Sequence, residues 1–217
     1  MLKSSGLMAL ATLTSRVLGM VREIVYGAFM GTGWVASAFF LAFQVPNLFR
    51  RLLGEGALTA AFIPIFKEKE KRDGDAAMWQ AANAVISGLL VFTTLVVVLG
   101  FVGVTVALYF GGQVTGEATR FTGKTLLVLQ LLRVMMPYLL LVCLAAVFMG
   151  MLNARGHFFI PAMGAATLNL VMIASVLWLA PHLGKELHER VFALAIGVVL
   201  AGLVQAWFQI PSLNREG

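Results

Sequence analysis

Six long, mainly apolar stretches follow one another along the chain, near Leu7–Met30, Val35–Leu53, Ala81–Phe110, Leu126–Met151, Phe158–Leu179 and Val191–Ile210. A helix of about 20 residues crosses the ~30 Å hydrocarbon core of a bilayer. Inside that core each backbone N–H and C=O must be satisfied, which a helix does within its own segment. The pattern predicts an all-α, polytopic membrane helix bundle with about six transmembrane helices. Composition removes the soluble alternative. The chain is 60% hydrophobic and 12% charged, with mean hydropathy +0.91, whereas soluble domains carry roughly 25% charged residues. So few charges cannot cover a water-facing exterior.

Short polar segments punctuate the runs. Gly31-Thr32-Gly33 separates the first two, and the alternating charges of Lys67 to Asp75 predict a solvated loop between the second and third. Gly111-Gly112 ends the third, Asn153 with Gly156 ends the fourth, and Pro181 to Arg190 links the fifth to the sixth. The third run, at 30 residues, is long enough to tilt or to project from the membrane. Lys3 precedes an apolar stretch, but Arg16 and Arg22 interrupt its continuation and no small-residue cleavage site follows cleanly, so the first helix is expected to be retained. Ile210 to Gly217 reads as a helix exit into a polar connector, as between two bundles.

Orientation follows from the loop cations. With the N-terminus inside, the cytoplasmic segments hold seven of them (Lys3, Lys67, Lys69, Lys71, Arg72, Arg155 and Arg215) and the opposite side four (Arg120, Lys124, Lys185 and Arg190). The excess places both termini on the cytoplasmic side of the membrane. It also explains the net charge of +6 without nucleic acid, since no basic stripe carries interleaved aromatics.

Catalytic chemistry finds no support. His157, His182 and His188 lie in or beside loops on opposite predicted sides and lack metal-ligand spacing with a carboxylate or cysteine. There is no phosphate-binding glycine loop with lysine. Ser4, Ser5 and Ser15 have no neighbouring histidine, and Asp73 and Asp75 belong to the charged loop. Cys143, alone in an apolar run, reads as a small packing residue. No enzyme, cofactor or metal is predicted.

Five arginines fall within the apolar runs, where insertion scales put each at about +2.5–3.5 kcal/mol at a helix centre. Arg133, one or two turns into its run, and Arg51, at the end of the second, are placed to snorkel to the interface. Arg16, Arg22 and Arg50 are harder to account for in that way. Arg22 lies roughly 9 Å along the axis from Arg16 and about 120° around it. Glu23 falls on the face of Arg16 and is placed to neutralise it in part, and Glu55 is the other acid nearby. Three cations against two acids leave either interhelical salt bridges with snorkelling, or an anion-binding cavity facing a wet interior. Backbone features cluster at the same place. Gly19 lies between the two arginines, Gly27, Gly31 and Gly33 follow, and Pro46 is placed to break the second helix. Broken helices at depth often line transport sites.

Thr14-Ser15-Arg16-Val17-Leu18-Gly19-Met20-Val21-Arg22-Glu23 resembles the opening of the MurJ/MviN-type lipid II flippases. The likeness continues through Ala38 to Phe43, Val45-Pro46-Asn47-Leu48-Phe49-Arg50-Arg51, Gly54-Glu55-Gly56-Ala57 and Ala61-Phe62-Ile63-Pro64, then Phe159-Ile160-Pro161-Ala162 and Leu168-Asn169. The resemblance implies a member of the multidrug/oligosaccharidyl-lipid/polysaccharide exporter superfamily, with two pseudo-symmetric six-helix lobes plus two further helices. It implies alternating-access translocation of the undecaprenyl-diphosphate-linked peptidoglycan precursor, lipid II, across the inner membrane. By the same resemblance Arg16, Arg22 and Arg50 match cavity arginines that engage the diphosphate, and Glu55 matches an acid near the cytoplasmic gate; Gly19 and Pro46 are candidate hinges from their backbone chemistry alone. Ser37 stands where many members carry aspartate, so an inter-lobe charge pair through that acid has no acid here. The family is about twice as long, which makes residues 1–217 an N-terminal lobe whose expected partners are the C-terminal lobe, membrane lipids and a polyprenyl-diphosphate-linked glycan. A related polysaccharide exporter and a non-transporting scaffold of cell-wall synthesis are the competing readings. Surplus arginine argues against an exporter of cationic drugs.

Overall fold

The first helix, α1 (Leu2–Met30), stops where the sequence predicts. Gly31 takes φ +60°, a left-handed conformation that suits glycine, while its N–H still reaches the Gly27 carbonyl at 3.0 Å. The remaining helices of this computed structural model are α2 (Trp34–Gly54), α3 (Ala57–Gly112), α4 (Gly123–Met135), α5 (Tyr138–Ala154), α6 (Phe159–Ala174), α7 (Leu187–Arg190) and α8 (Phe192–Leu213). The structure describes residues 2–54, 57–112, 123–157 and 159–215, without the side chains at 2–5, 7–9, 50, 53, 54, 57–63, 112, 161 and 162. Glu55, Arg120 and the Arg50 side chain therefore lie outside the described residues. No strand occurs among the described residues.

The polar segment at Lys67–Asp75 departs from its expected loop form. Helix covers it, with one break at Gly74 (φ 83°, ψ 172°) that turns α3 into two helices end to end. Alternating charge does not distinguish a solvated loop from a solvated helix. Here Lys69 and Asp73 pair across one turn at 3.4 Å, the spacing that supports helix. The Arg72 hydrogen bond, more than Lys69, holds the Asp73 carboxyl below its usual range. Phe66, from the same segment, is buried with Met78, Val147 and Met151 in a small core at that end of the bundle.

Three further boundaries differ from expectation. The fourth run is two helices, α4 and α5, bent by 46° at Met136-Pro137. Proline has no N–H for the ladder and disfavours helix at the residue before it. Past α6 the chain widens into a π turn at Ser175–Leu179, then tightens into a 3₁₀ turn at Ala180–His182. The expected exit at Ile210-Pro211 stays helical to Leu213, and the Asn214 N–H closes the last turn on the Ile210 carbonyl at 2.9 Å. The Pro181–Arg190 link contains α7, started by a reciprocal capping box between Glu186 and Glu189.

Packing runs α1 on α6, α6 on α8, α8 on α5, and α5 on both α3 and α2, with α2 also against α4. The seam between α5 and α8 is built on small residues. A Cβ at Gly202 would lie 2.6 Å from Tyr138 Cδ2, and at the neighbouring contact of α8 with the end of α6 one at Gly197 would lie 2.5 Å from Ser175 Oγ. Gln209, buried in this seam, donates from Nε2 to the Ala145 carbonyl at 3.3 Å and the Gln205 carbonyl at 3.1 Å. Small residues and interhelical amide bonds bring helices together where lipid supplies no hydrophobic drive.

The outer surface is apolar. Val91, Phe92, Leu95 and Leu99 of α3, with Trp178 and Trp207 elsewhere, are all exposed. Among the described residues, α3, α8 and the run from α6 through its terminal turns are long and apolar enough to cross a membrane. The bent α4–α5 pair is long and apolar enough when its two helices are taken together, and the apolar part of α2, Trp34–Phe49, is shorter. This is an all-helical membrane bundle.

Candidate functional site

Because α1 leans on α6 while α2 leans on α4 and α5, these two consecutive helices stand apart and leave a cavity between them. It measures about 150 Å³. Helix periodicity places Arg22, Glu23 and Tyr26 of α1 on its wall, opposite Phe39, Phe40 and Phe43 of α2. Tyr138 of α5, Leu168 and Met172 of α6, and Val198 of α8 close it. Phe39 and Phe43 stack with centroids 5.9 Å apart, and Tyr26 meets Phe39 edge-on at 6.1 Å.

Arg22 is the charged centre of this cavity. Its Nη1 donates to Asn169 Oδ1 at 3.0 Å, its Nη2 pairs with Glu23 Oε1, and its Cζ lies 5.5 Å from the Tyr26 ring centroid. Asn169 is itself held, donating from Nδ2 to the Ser15 carbonyl at 3.2 Å. A neutral amide therefore orients the guanidinium without cancelling its charge. The Arg22 side chain is 25% exposed and that of Glu23 58%. The cation is the more sheltered of the pair, and its carboxylate partner is partly screened by water.

The expectation that Glu23 neutralises Arg16 is corrected by this geometry. Glu23 binds the adjacent Arg22. Seven residues separate Arg16 from Glu23, roughly 10 Å along the axis, whereas side chains meet on a helix at spacings of three and four. Arg16 is exposed and is not part of the cavity wall. The structure brings Arg22 and Glu23 together here and leaves Arg16 about two turns nearer the start of α1, outside the cavity wall.

The candidate hinges lie close by. Helix α1 runs unbroken through Gly19, where a Cβ would sit 3.5 Å from Asn169 Nδ2, an ordinary contact. Pro46 is buried and α2 stays helical through it, so the expected break is absent. The helix gives up one ladder bond there and its neighbours hold the rest. Ser37 is exposed and donates its hydroxyl to the Gly33 carbonyl at 3.3 Å, a local bond within the first turn of α2.

Sequence reasoning passed over Asn169 as a site residue, along with the aromatic wall. A primary amide between Leu168 and Leu170 in an apolar run was the available signal, since such a group needs an internal partner. Nothing in the order of Phe39, Phe43 and Tyr138 separates cavity wall from ordinary core.

Known proteins place the chain clearly. The family model described as lipid II flippase MurJ matches residues 27–217. A probable lipid II flippase MurJ of Bdellovibrio bacteriovorus is 40% identical over 99% of this chain and 40% of its own length. The lipid II flippase MurJ of Burkholderia cenocepacia is 34% identical over 94% of this chain and 38% of its own. The probable flippase of Vibrio cholerae is 36% identical over 100% and 41%. A solved lipid II flippase MurJ in an inward closed conformation superposes with TM-score 0.76 at 23% identity, over 96% of this chain and 42% of that one. The fold is thus that of one part of the larger structure, and the chain spans about two fifths of the length of these relatives. On the family model and the identities together, the chain belongs to the MurJ lipid II flippase family.

Proposed function

We propose that this chain forms the N-terminal lobe of a flippase that moves lipid II across the bacterial inner membrane, as a transporter and not an enzyme. The observation that carries the reading is Arg22, a guanidinium set in an aromatic cavity between α1 and α2 and oriented by the Asn169 amide. A diphosphate concentrates negative charge, and guanidinium matches phosphate oxygens with a planar fork. The cavity is far too small for a lipid-linked glycan, so it serves as a contact point for the diphosphate while the rest of the substrate lies outside it. Arg16, exposed about two turns nearer the start of α1, extends the cationic surface, and Arg50 of α2, whose side chain lies outside the described residues, is the third arginine of this reading. Glu23 tempers it, and Glu55 acts near the cytoplasmic gate. Gly19 and Pro46 flank the cavity as the positions that absorb bending when access alternates.

The exposed face of α1 and α2, with Leu13, Val17, Phe40 and Leu41 among its residues, is the surface that a C-terminal lobe covers. Six crossings with both termini cytoplasmic complete the reading, with α1 and α2 as the first two spans. Reporter fusions after Asp75, Gly112, Arg155 and Lys185 then alternate inside, outside, inside, outside.

The deciding experiment is complementation of a flippase-depleted bacterium by the chain joined to a C-terminal lobe, with membrane abundance checked for each variant. Arg16→Ala, Arg22→Ala and Arg50→Ala lose growth, and the lysine variants retain part of it. Normal growth of all three alanine variants at native expression overturns the anion-cavity reading.

A further inference from the structure

The side-chain amide of Asn169 holds α1 at two residues of one face. Its Oδ1 accepts from Arg22 Nη1 at 3.0 Å, and its Nδ2 donates to the Ser15 carbonyl at 3.2 Å. Ser15 and Arg22 are two turns of helix apart, roughly 10 Å along the axis. The partners fix which way the amide points, because a guanidinium only donates and a carbonyl only accepts. Asn169 is buried at 6% exposure, so these two bonds satisfy it inside the bundle.

The Ser15 carbonyl also belongs to the helix ladder. In the unbroken α1 it accepts the N–H four residues on, that of Gly19, and the Asn169 amide enters this step from the side. Side chains that insert into the ladder are an identified cause of helix bending. One turn earlier, Thr14 Oγ1 donates to the Leu10 carbonyl at 2.9 Å, a back-bond of the kind that also bends helices. Gly19 presents no Cβ to hold the amide off. One built there would already lie 3.5 Å from Asn169 Nδ2, so a closer approach of the amide requires glycine. The stretch from Leu10 to Gly19 is thus ready to bend, and the group that enters it is the group that holds Arg22.

We propose that Asn169 couples anion occupancy of Arg22 to a bend of α1 at Ser15–Gly19. A diphosphate that takes the guanidinium fork draws Nη1 away from Asn169 Oδ1. The amide keeps the Ser15 carbonyl as its partner, moves in over Gly19 and displaces the Gly19 N–H from that carbonyl. The part of α1 before Ser15 then tilts against the rest. A ligand shifts a protein between two shapes only through contacts that differ between them, and here that contact is the Arg22–Asn169 bond, made in the straight helix and broken in the bent one. The coupling rests on the diphosphate reading of Arg22 and adds to it a trigger for the hinge. Asn169 acts through Arg22 and α1, as a positioning residue.

Distances between spin labels test it in the micelle-bound chain with Cys143→Ala, using farnesyl diphosphate as probe and titration calorimetry as a separate measure of binding. Labels replace Leu10 and Ile24, exposed on either side of Gly19, and are each paired with one at exposed Leu203 of α8. Saturating probe shifts the Leu10–Leu203 distance and leaves Ile24–Leu203 in place, whereas farnesol shifts neither. Asn169→Ala binds the probe about threefold more weakly, the size of one hydrogen bond, and loses the shift even at saturation. Gly19→Ala, whose methyl makes only an ordinary contact, at least halves the shift at saturation and decides the matter should Asn169→Ala not fold. Binding without a shift overturns the coupling alone, as does a full shift in folded Asn169→Ala, or in Gly19→Ala if it stands alone. Equal shifts of both pairs mean that α1 moves as a rigid rod, which overturns it too. Absence of binding to the parent chain, or equal binding to Arg22→Gln, overturns the diphosphate reading and the coupling with it.

Discussion

The Arg155 guanidinium donates to Glu70 Oε1 at 2.9 Å, joining the end of α5 to the charged half of α3 across 85 positions of chain. Its other terminal nitrogen lies 3.4 Å from Asp75 Oδ2, and its Cζ stacks 5.8 Å from the Trp79 ring centroid. One side chain thus grips both arms of α3 on either side of Gly74. The Arg155 side chain is only 17% exposed, so salt screens this contact less than it screens a surface pair.

Arg155→Met removes the clamp while keeping much of the side-chain volume. The expected loss is about 1–3 kcal/mol, read as a lowered midpoint of thermal unfolding in detergent. Proteolysis of the micelle-bound chain between Lys67 and Arg72 accelerates with it. A midpoint equal to that of the parent chain refutes the clamp.

Gly74 adopts a φ of 83° with extended ψ, and a Cβ there would meet nothing within 4 Å. The cost of Gly74→Ala is therefore conformational and not steric, about 1–3 kcal/mol. It appears as partial straightening of the joint, measured as a changed distance between spin labels at Lys69 and Asn83. Gly88→Ala, in the regular part of the same helix and with open space at its Cβ, leaves that distance unchanged. Equal behaviour of the two variants would show that the bend does not depend on glycine.

Gly202→Ala drives a methyl into the Tyr138 ring at a contact of 2.6 Å. Tyr138 is fully buried, so the ring cannot swing into lipid, and overpacking of this kind costs about 1–3 kcal/mol. Thermal unfolding in detergent reports it as a lowered midpoint. Gly103→Ala on α3, with nothing within 4 Å, is the neutral comparison.

Asn169 separates an oriented cation from a neutralised one. Asn169→Asp adds a second carboxylate beside Arg22, so growth in the complementation assay falls as far as in Arg22→Ala while the protein still inserts. Asn169→Ala loses both the bond to Arg22 and the bond to the Ser15 carbonyl. Its loss of function is smaller, because the guanidinium stays charged but is no longer aimed. If the aspartate variant grows as well as the parent, Arg22 does not meet an anion.

The sequence by itself determined that the chain is helical and lives in lipid, because run length and scarcity of charge leave no other way to satisfy backbone and surface together. It also located the glycine stops at Gly31 and Gly156, since these follow from local conformation. The Arg16–Glu23 pairing failed because angular position on a helix ignores axial distance, and the structure gave Glu23 to Arg22. The helix across Lys67–Asp73 was hidden because solvation looks the same in sequence whether the backbone is coiled or helical. Phe66 reveals the difference only by packing on α5 residues far along the chain. The cavity itself was a tertiary decision. Arg22 lies in a sheltered space because α6, 147 positions later, brings Asn169 alongside it, and because α1 and α2 each found other helices to pack on. Composition limits which groups must find partners, but the partners are chosen by the packing of helices distant in sequence.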